Sequence, residues 1–68
     1  MKLIDVFSKK LRKLREKKGL TREELAVKTK LSFSMISQIE RAENNPSFDT
    51  IETLAKALRC EGTEFFRK

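Results

Sequence analysis

Apolar residues recur along this chain at the three- and four-residue steps of helices, without the sustained alternation of a half-buried strand. Phe7, Leu11 and Leu14 stand at i, i+4 and i+7 and share one face, which predicts a first helix from about Asp5 to Lys18. Gly19 follows as a stop, since it enters the left-handed backbone region at little cost. Thr21 is placed to cap a second helix, and Glu24 three residues on can reach back to the Thr21 backbone as a capping box. Leu25, Ala26 and Thr29 form its inner face. A break at Lys30 and Leu31 leaves that helix only about two turns. Ser32 then caps a third helix through about Arg41, with Ile36 and Ile39 inward.

The longest loop is Asn44, Asn45, Pro46 and Ser47, residue types that favour turns through left-handed tolerance in one case and a fixed φ in the other. Ser47 caps a fourth helix through about Leu58, whose predicted inner face is Phe48, Ile51, Leu54, Ala55 and Leu58. A last short turn carries Phe65 and Phe66. No repeat, low-complexity tract or linker interrupts residues 1–68. The pattern is therefore all-α, five helical segments in one domain.

Composition narrows the chemistry. With 68 residues, no His, one Cys and no Trp or Tyr, the chain cannot assemble a four-ligand zinc site or a His-assisted nucleophile of its own. The expectation is a protein that is not an enzyme, holds no metal or cofactor and offers no small-molecule effector pocket. The lone Cys60 excludes an internal disulfide, and no apolar run approaches the ~18 residues needed to cross a membrane. A soluble, reducing, cytoplasmic setting is expected.

Charge adds a partner. Sixteen Lys and Arg against ten Asp and Glu give +6. Residues 1–30 hold eleven basic and four acidic side chains, +7, and residues 31–68 hold five and six, −1. A basic surplus confined to one half of a helical chain points to a polyanion.

Two short helices joined by a tight turn, inside such a chain, form a helix-turn-helix pattern at helices two and three. The stretch LTREELAVKTKLSFSMISQIERAENNPSF, Leu20 to Phe48, resembles the phage repressor and Cro type of DNA-binding domain, the Xre family. The resemblance continues through DTIETLAKALRCEGTEFF. Its most specific elements are Leu25-Ala26, Ile36-Ser37, Ile39-Glu40, Asn45-Pro46-Ser47 and Leu54-Ala55-Lys56-Ala57-Leu58, all in register. Among stand-alone members the opening residues, FSKKLRKLREKKGL, look most like the controllers of restriction-modification genes.

The resemblance implies that the third helix enters the major groove of double-stranded DNA. Counted from its cap, Ser32, Phe33, Ser34, Ser37, Gln38 and Arg41 project away from Ile36 and Ile39 and are the expected base contacts. Gln38 could pair with adenine through one donor and one acceptor, and the serines with several bases. Phe33 could touch a thymine methyl or instead pack on helix two. Expected phosphate contacts are Arg15, Thr21, Arg22, Asn44, Asn45 and Ser47, helped by the unpaired amides at helix N-termini. The resemblance further implies an ion pair between Arg15 and Glu40 across the core.

Departures from the family pattern are Lys30, Ala42 and Arg59, which stand where glycine is common, and Glu61 where the last helix should begin. Either those turns are reshaped or the chain carries backbone strain there. One helix in one groove covers few base pairs, so a homodimer on a palindromic operator is expected, with the C-terminal segment around Phe66, Cys60 and Arg59 as its interface. Two rival readings are an antitoxin-like protein-interaction module and a membrane-surface peptide, the latter weakened by the commitment of the first helix's apolar face to a core.

Overall fold

A computed structural model describes residues 2–67. Among them four α-helices and a terminal 3-10 turn follow in order: α1 Leu3–Lys17, α2 Arg22–Thr29, α3 Phe33–Glu40, α4 Phe48–Ala57, and the 3-10 turn Gly62–Phe66. No helix among the described residues is long and apolar enough to cross a membrane.

Side chains open three of the helices as the sequence foretells. Ser32 Oγ accepts from the Met35 amide at 3.0 Å, and Ser47 Oγ from the Thr50 amide at 3.2 Å. At α2 the capping box is complete: the Glu24 amide donates to Thr21 Oγ1 at 3.0 Å, and the Thr21 amide to Glu24 Oε1 at 2.8 Å. These bonds satisfy orphan amides that would otherwise cost the helix ends stability.

The fifth helix is a correction. Its segment is one 3-10 turn, opened by Glu61, which makes no side-chain cap. Without a capping oxygen, and with Gly62 as its first helical residue, this segment has poor terms for starting an α-helix. The turn is held from outside instead. Phe65 is fully buried and its ring lies 4.7 Å from that of Phe7 on α1, with Phe66 5.7 Å away on the same ring.

Phe7, Leu11, Leu25, Ala26, Ile36, Ile39, Leu54, Ala55, Leu58 and Phe65 form the core, with Ile4, Leu14, Leu20, Leu31, Met35 and Ile51 at its edge. Phe48 is a second correction: placed on the inner face by periodicity, it is 86% exposed. It opens α4, and because Cα–Cβ bonds tilt toward a helix N-terminus, a first-turn side chain projects past the helix end. Leu3 at the start of α1 and Phe33 at the start of α3 are exposed in the same position.

The non-glycine turns keep left-handed geometry. Lys30, Ala42 and Arg59 have φ of 64°, 60° and 54°, beside 73° for Gly19. After α1, α3 and α4 the chain closes in a paired pattern, seen at α3 as Glu43 N–H to the Gln38 carbonyl (2.8 Å) and Ala42 N–H to the Ile39 carbonyl (3.0 Å). These turns are thus preserved and the strain is carried, on the order of 1 kcal/mol each.

Candidate nucleic-acid interface

Helix α3 packs against both α1 and α2. Being held from two sides widens its buried arc beyond Ile36 and Ile39. Ser37 falls inside that arc, only 5% exposed, and its Oγ has no hydrogen-bond partner among the described residues. The expectation that Ser37 projects outward is therefore corrected. Ser32, Phe33, Ser34 and Arg41 are exposed and Gln38 is half-buried, which leaves one open face on α3.

That face has two lobes. At its N-terminal end the Arg22 guanidinium stands 5.8 Å from the centre of the Phe33 ring, within cation–π range. Phe33 remains 47% exposed, so it both touches the α2 end and presents its ring outward. At the C-terminal end, Asn44 Nδ2 donates to Gln38 Oε1 at 3.2 Å, and Arg41 Nη2 to Glu43 Oε1 at 3.1 Å. Asn44, expected as a phosphate contact, is thus brought to Gln38, while Asn45 and Ser47 stay exposed. At α2 the capping box occupies the Thr21 and Glu24 amides, so the amides of Arg22 and Glu23 are the ones left at that N-terminus.

Two anchors fix the opposite side of α3. Arg15 donates from Nε to Glu40 Oε2 at 2.6 Å and from Nη2 to Oε1 at 3.0 Å, with the side chains 10% and 5% exposed. Its Nη1 donates to the Leu20 carbonyl at 2.8 Å, tying the start of α2 to the same group. The hydrogen bonds to Glu40 raise the Arg15 pKa above its ordinary value, against the opposing effect of burial. The second anchor went unnoticed in the sequence: buried Ser8 places Oγ 2.7 Å from the carbonyl oxygens of both Ile4 and Ile39. A serine beside Phe7 on the apolar stripe of α1 was the available signal.

Residues 11–65 match the helix-turn-helix family. The chain belongs to it. Within this helix-turn-helix family the chain is similar to the transcriptional regulator DdrOP3 of Deinococcus deserti, 33% identical over 84% of this chain and 49% of that protein. The chain thus spans about half the length of that curated relative. Its fold is similar to the restriction-modification controller protein C.AhdI of Aeromonas hydrophila, with a TM-score of 0.89 and 40% identity over 93% of this chain and 96% of that one. It is also similar to the controller C.Esp1396I, solved as a tetramer on its natural 35 base-pair operator, with a TM-score of 0.87 and 35% identity over 97% and 87% of the two chains. The helix-turn-helix members it resembles are DNA-binding transcriptional regulators and controllers, not enzymes.

Proposed function

We propose that this protein is a sequence-specific regulator of transcription that binds a palindromic operator in double-stranded DNA as a homodimer, each copy laying α3 in a major groove, in the cytoplasm. The observation that carries the reading is the open face of α3, bordered by Arg22 at the N-terminus of α2 on one side and the loop before α4 on the other. Ser32, Phe33, Ser34, Gln38 and Arg41 are its base contacts; Thr21, Arg22, Asn45 and Ser47 hold phosphates. Arg15 has two of its five N–H groups left once Glu40 and Leu20 are served, so it acts on DNA chiefly by holding α3.

Dimerisation fits an uncharged groove of about 180 Å³ lined by Leu3, Ile4, Phe7, Asn45, Pro46, Ile51 and Phe66. Leu3 and Phe66 are exposed there, and Phe48 stands two residues beyond Pro46. Of the C-terminal residues expected at the interface, Phe66 lines this groove and Cys60 and Arg59 do not.

Fluorescence anisotropy on a random duplex tests the DNA reading. Eight phosphate contacts per dimer, four from each copy, predict a loss of on the order of 10⁴-fold in affinity between about 50 and 200 mM salt. Absence of binding at low salt would refute it.

A further inference from the structure

Phe33 is the one aromatic side chain of α3, and its ring is held in place by a neighbouring helix. It is the first residue of α3, it is 47% exposed, and the Arg22 guanidinium stands 5.8 Å from the centre of its ring. Because Cα–Cβ bonds tilt toward a helix N-terminus, the side chain projects past the end of α3 whose residues meet base edges when such a helix enters a major groove. With one side of the ring against Arg22, the remainder is an apolar surface left in water, and covering it is favourable.

A phenyl ring has no hydrogen-bonding group, so it does not respond to the donors and acceptors of the base edges. The one apolar group those edges present in the major groove is the methyl on C5 of thymine. A cytosine methylated on C5 carries the same methyl at the same place, and in the groove it differs from thymine in offering the N4 amino group instead of O4. The residues on either side of Phe33 do not resolve that difference: Ser32 and Ser34 are exposed, and a hydroxyl both donates and accepts. We infer that Phe33 reads the C5 methyl group itself, so that the base it meets is thymine or 5-methylcytosine, and that methylation of a cytosine at that position raises affinity. This rests on the proposed DNA-reading role of α3. Arg22 sharpens the contact, since a ring already held loses less rotamer freedom on binding.

A ring resting on the sugar backbone would bury similar area but shift affinity for every sequence alike, whereas a methyl reader changes which base is preferred. Duplexes selected from a randomised library by the full chain and by Phe33→Ser identify the position: a thymine that the variant no longer selects. Thymine, uracil, cytosine and 5-methylcytosine are then placed there in turn and affinities measured by fluorescence anisotropy. The ratio of thymine to uracil and that of 5-methylcytosine to cytosine each change nothing but the methyl group. In the wild-type chain both are expected at about fourfold per half-site, the effect of burying one methyl-sized group, and so on the order of fifteenfold when both halves of a palindrome carry it. Phe33→Ser should bring both ratios close to one. Phe33→Leu, which gives up the ring beside Arg22 but stays apolar, should keep both above about twofold per half-site. Ratios are taken within each variant, so a general loss of affinity or stability cancels.

Ratios near one in the wild-type chain at every selected thymine would overturn the inference. So would ratios that survive Phe33→Ser, or a preference for thymine over uracil with none for 5-methylcytosine over cytosine. Failure of the wild-type chain to enrich any sequence is a different result, and it would overturn the DNA-reading role itself.

Discussion

Glu40 and Gln38 lie two residues apart near the C-terminal end of α3, and each is held by a side chain from outside the helix, yet the two pairs are of opposite kinds. Arg15 and Glu40 are charged, doubly hydrogen-bonded and nearly out of solvent. Asn44 and Gln38 are neutral, joined by one bond and open to the groove side. The first pair spans 25 residues and fixes where α3 sits; the second spans six and ties one side chain of its open face to the loop before α4. Burial makes the first expensive to break. It does not make it a large net source of stability, because desolvation offsets much of the attraction.

The largest effect follows from breaking one half of the buried pair. Arg15→Ala or Glu40→Ala leaves an unpaired buried charge and should lower unfolding free energy by about 3–5 kcal/mol, read as a shift of the urea midpoint. Replacing both, Arg15→Met with Glu40→Leu, should cost far less, since no charge is stranded. Because the Arg15 pKa is raised, its contribution is complete below the ordinary arginine value and is lost only at still higher pH, so the deficit of Arg15→Ala should gain no pH dependence from the guanidinium across neutral pH. A loss in the double variant equal to that of either single one would contradict this view of the pair.

Ala42→Gly comes next. It relieves a left-handed backbone in the turn that carries Asn44 to Gln38, and should raise stability by up to about 1 kcal/mol, less the entropy that glycine adds to the unfolded chain. A fall in melting temperature would mean that the turn is not strained. Gln38→Ala should stay within about 0.5 kcal/mol of the parent stability, which is the sharpest contrast with its neighbour Glu40.

The smallest effect lies away from both pairs. Burial pushes the Cys60 thiol up, with Glu64 adding to the rise. The unfolded chain therefore ionises first as pH rises, and the stability that Cys60 contributes, complete below the free-thiol range, is lost between that range and the raised value in the folded chain. Cys60→Ala should flatten this alkaline decline in a urea titration; an identical decline in the variant would assign it elsewhere.

Local chemistry was the most legible part of the sequence. Thr21, Ser32 and Ser47 announce three helix starts because capping needs a side-chain oxygen at a fixed offset, and the apolar spacing finds nine of the ten core positions at once. The family resemblance supplied the Arg15 and Glu40 pairing, which spacing alone does not show. Positions that depend on neighbouring helices were harder to read. Ser37 sits at the edge of the predicted outer face and is buried because α1 and α2 flank α3 together, and Phe48 has core periodicity but no helix beyond its own N-terminus to cover it. The bond between Asn44 and Gln38 was invisible for another reason: it requires the left-handed turn at Ala42, a position where the family's usual glycine is missing and the turn was in doubt.

Separation of reading from attraction is tested most directly by measuring Gln38→Ala and Arg22→Ala side by side, each on the duplex that the parent chain prefers and on a random duplex, over a range of salt. Gln38→Ala should lose about 1–3 kcal/mol of preference while random-duplex affinity and salt slope stay near the parent values. Arg22→Ala, which removes one phosphate contact from each copy of the dimer, should weaken both duplexes equally and make the slope shallower by about 2. Equal losses on both duplexes in Gln38→Ala would contradict the assignment of α3 as the reader.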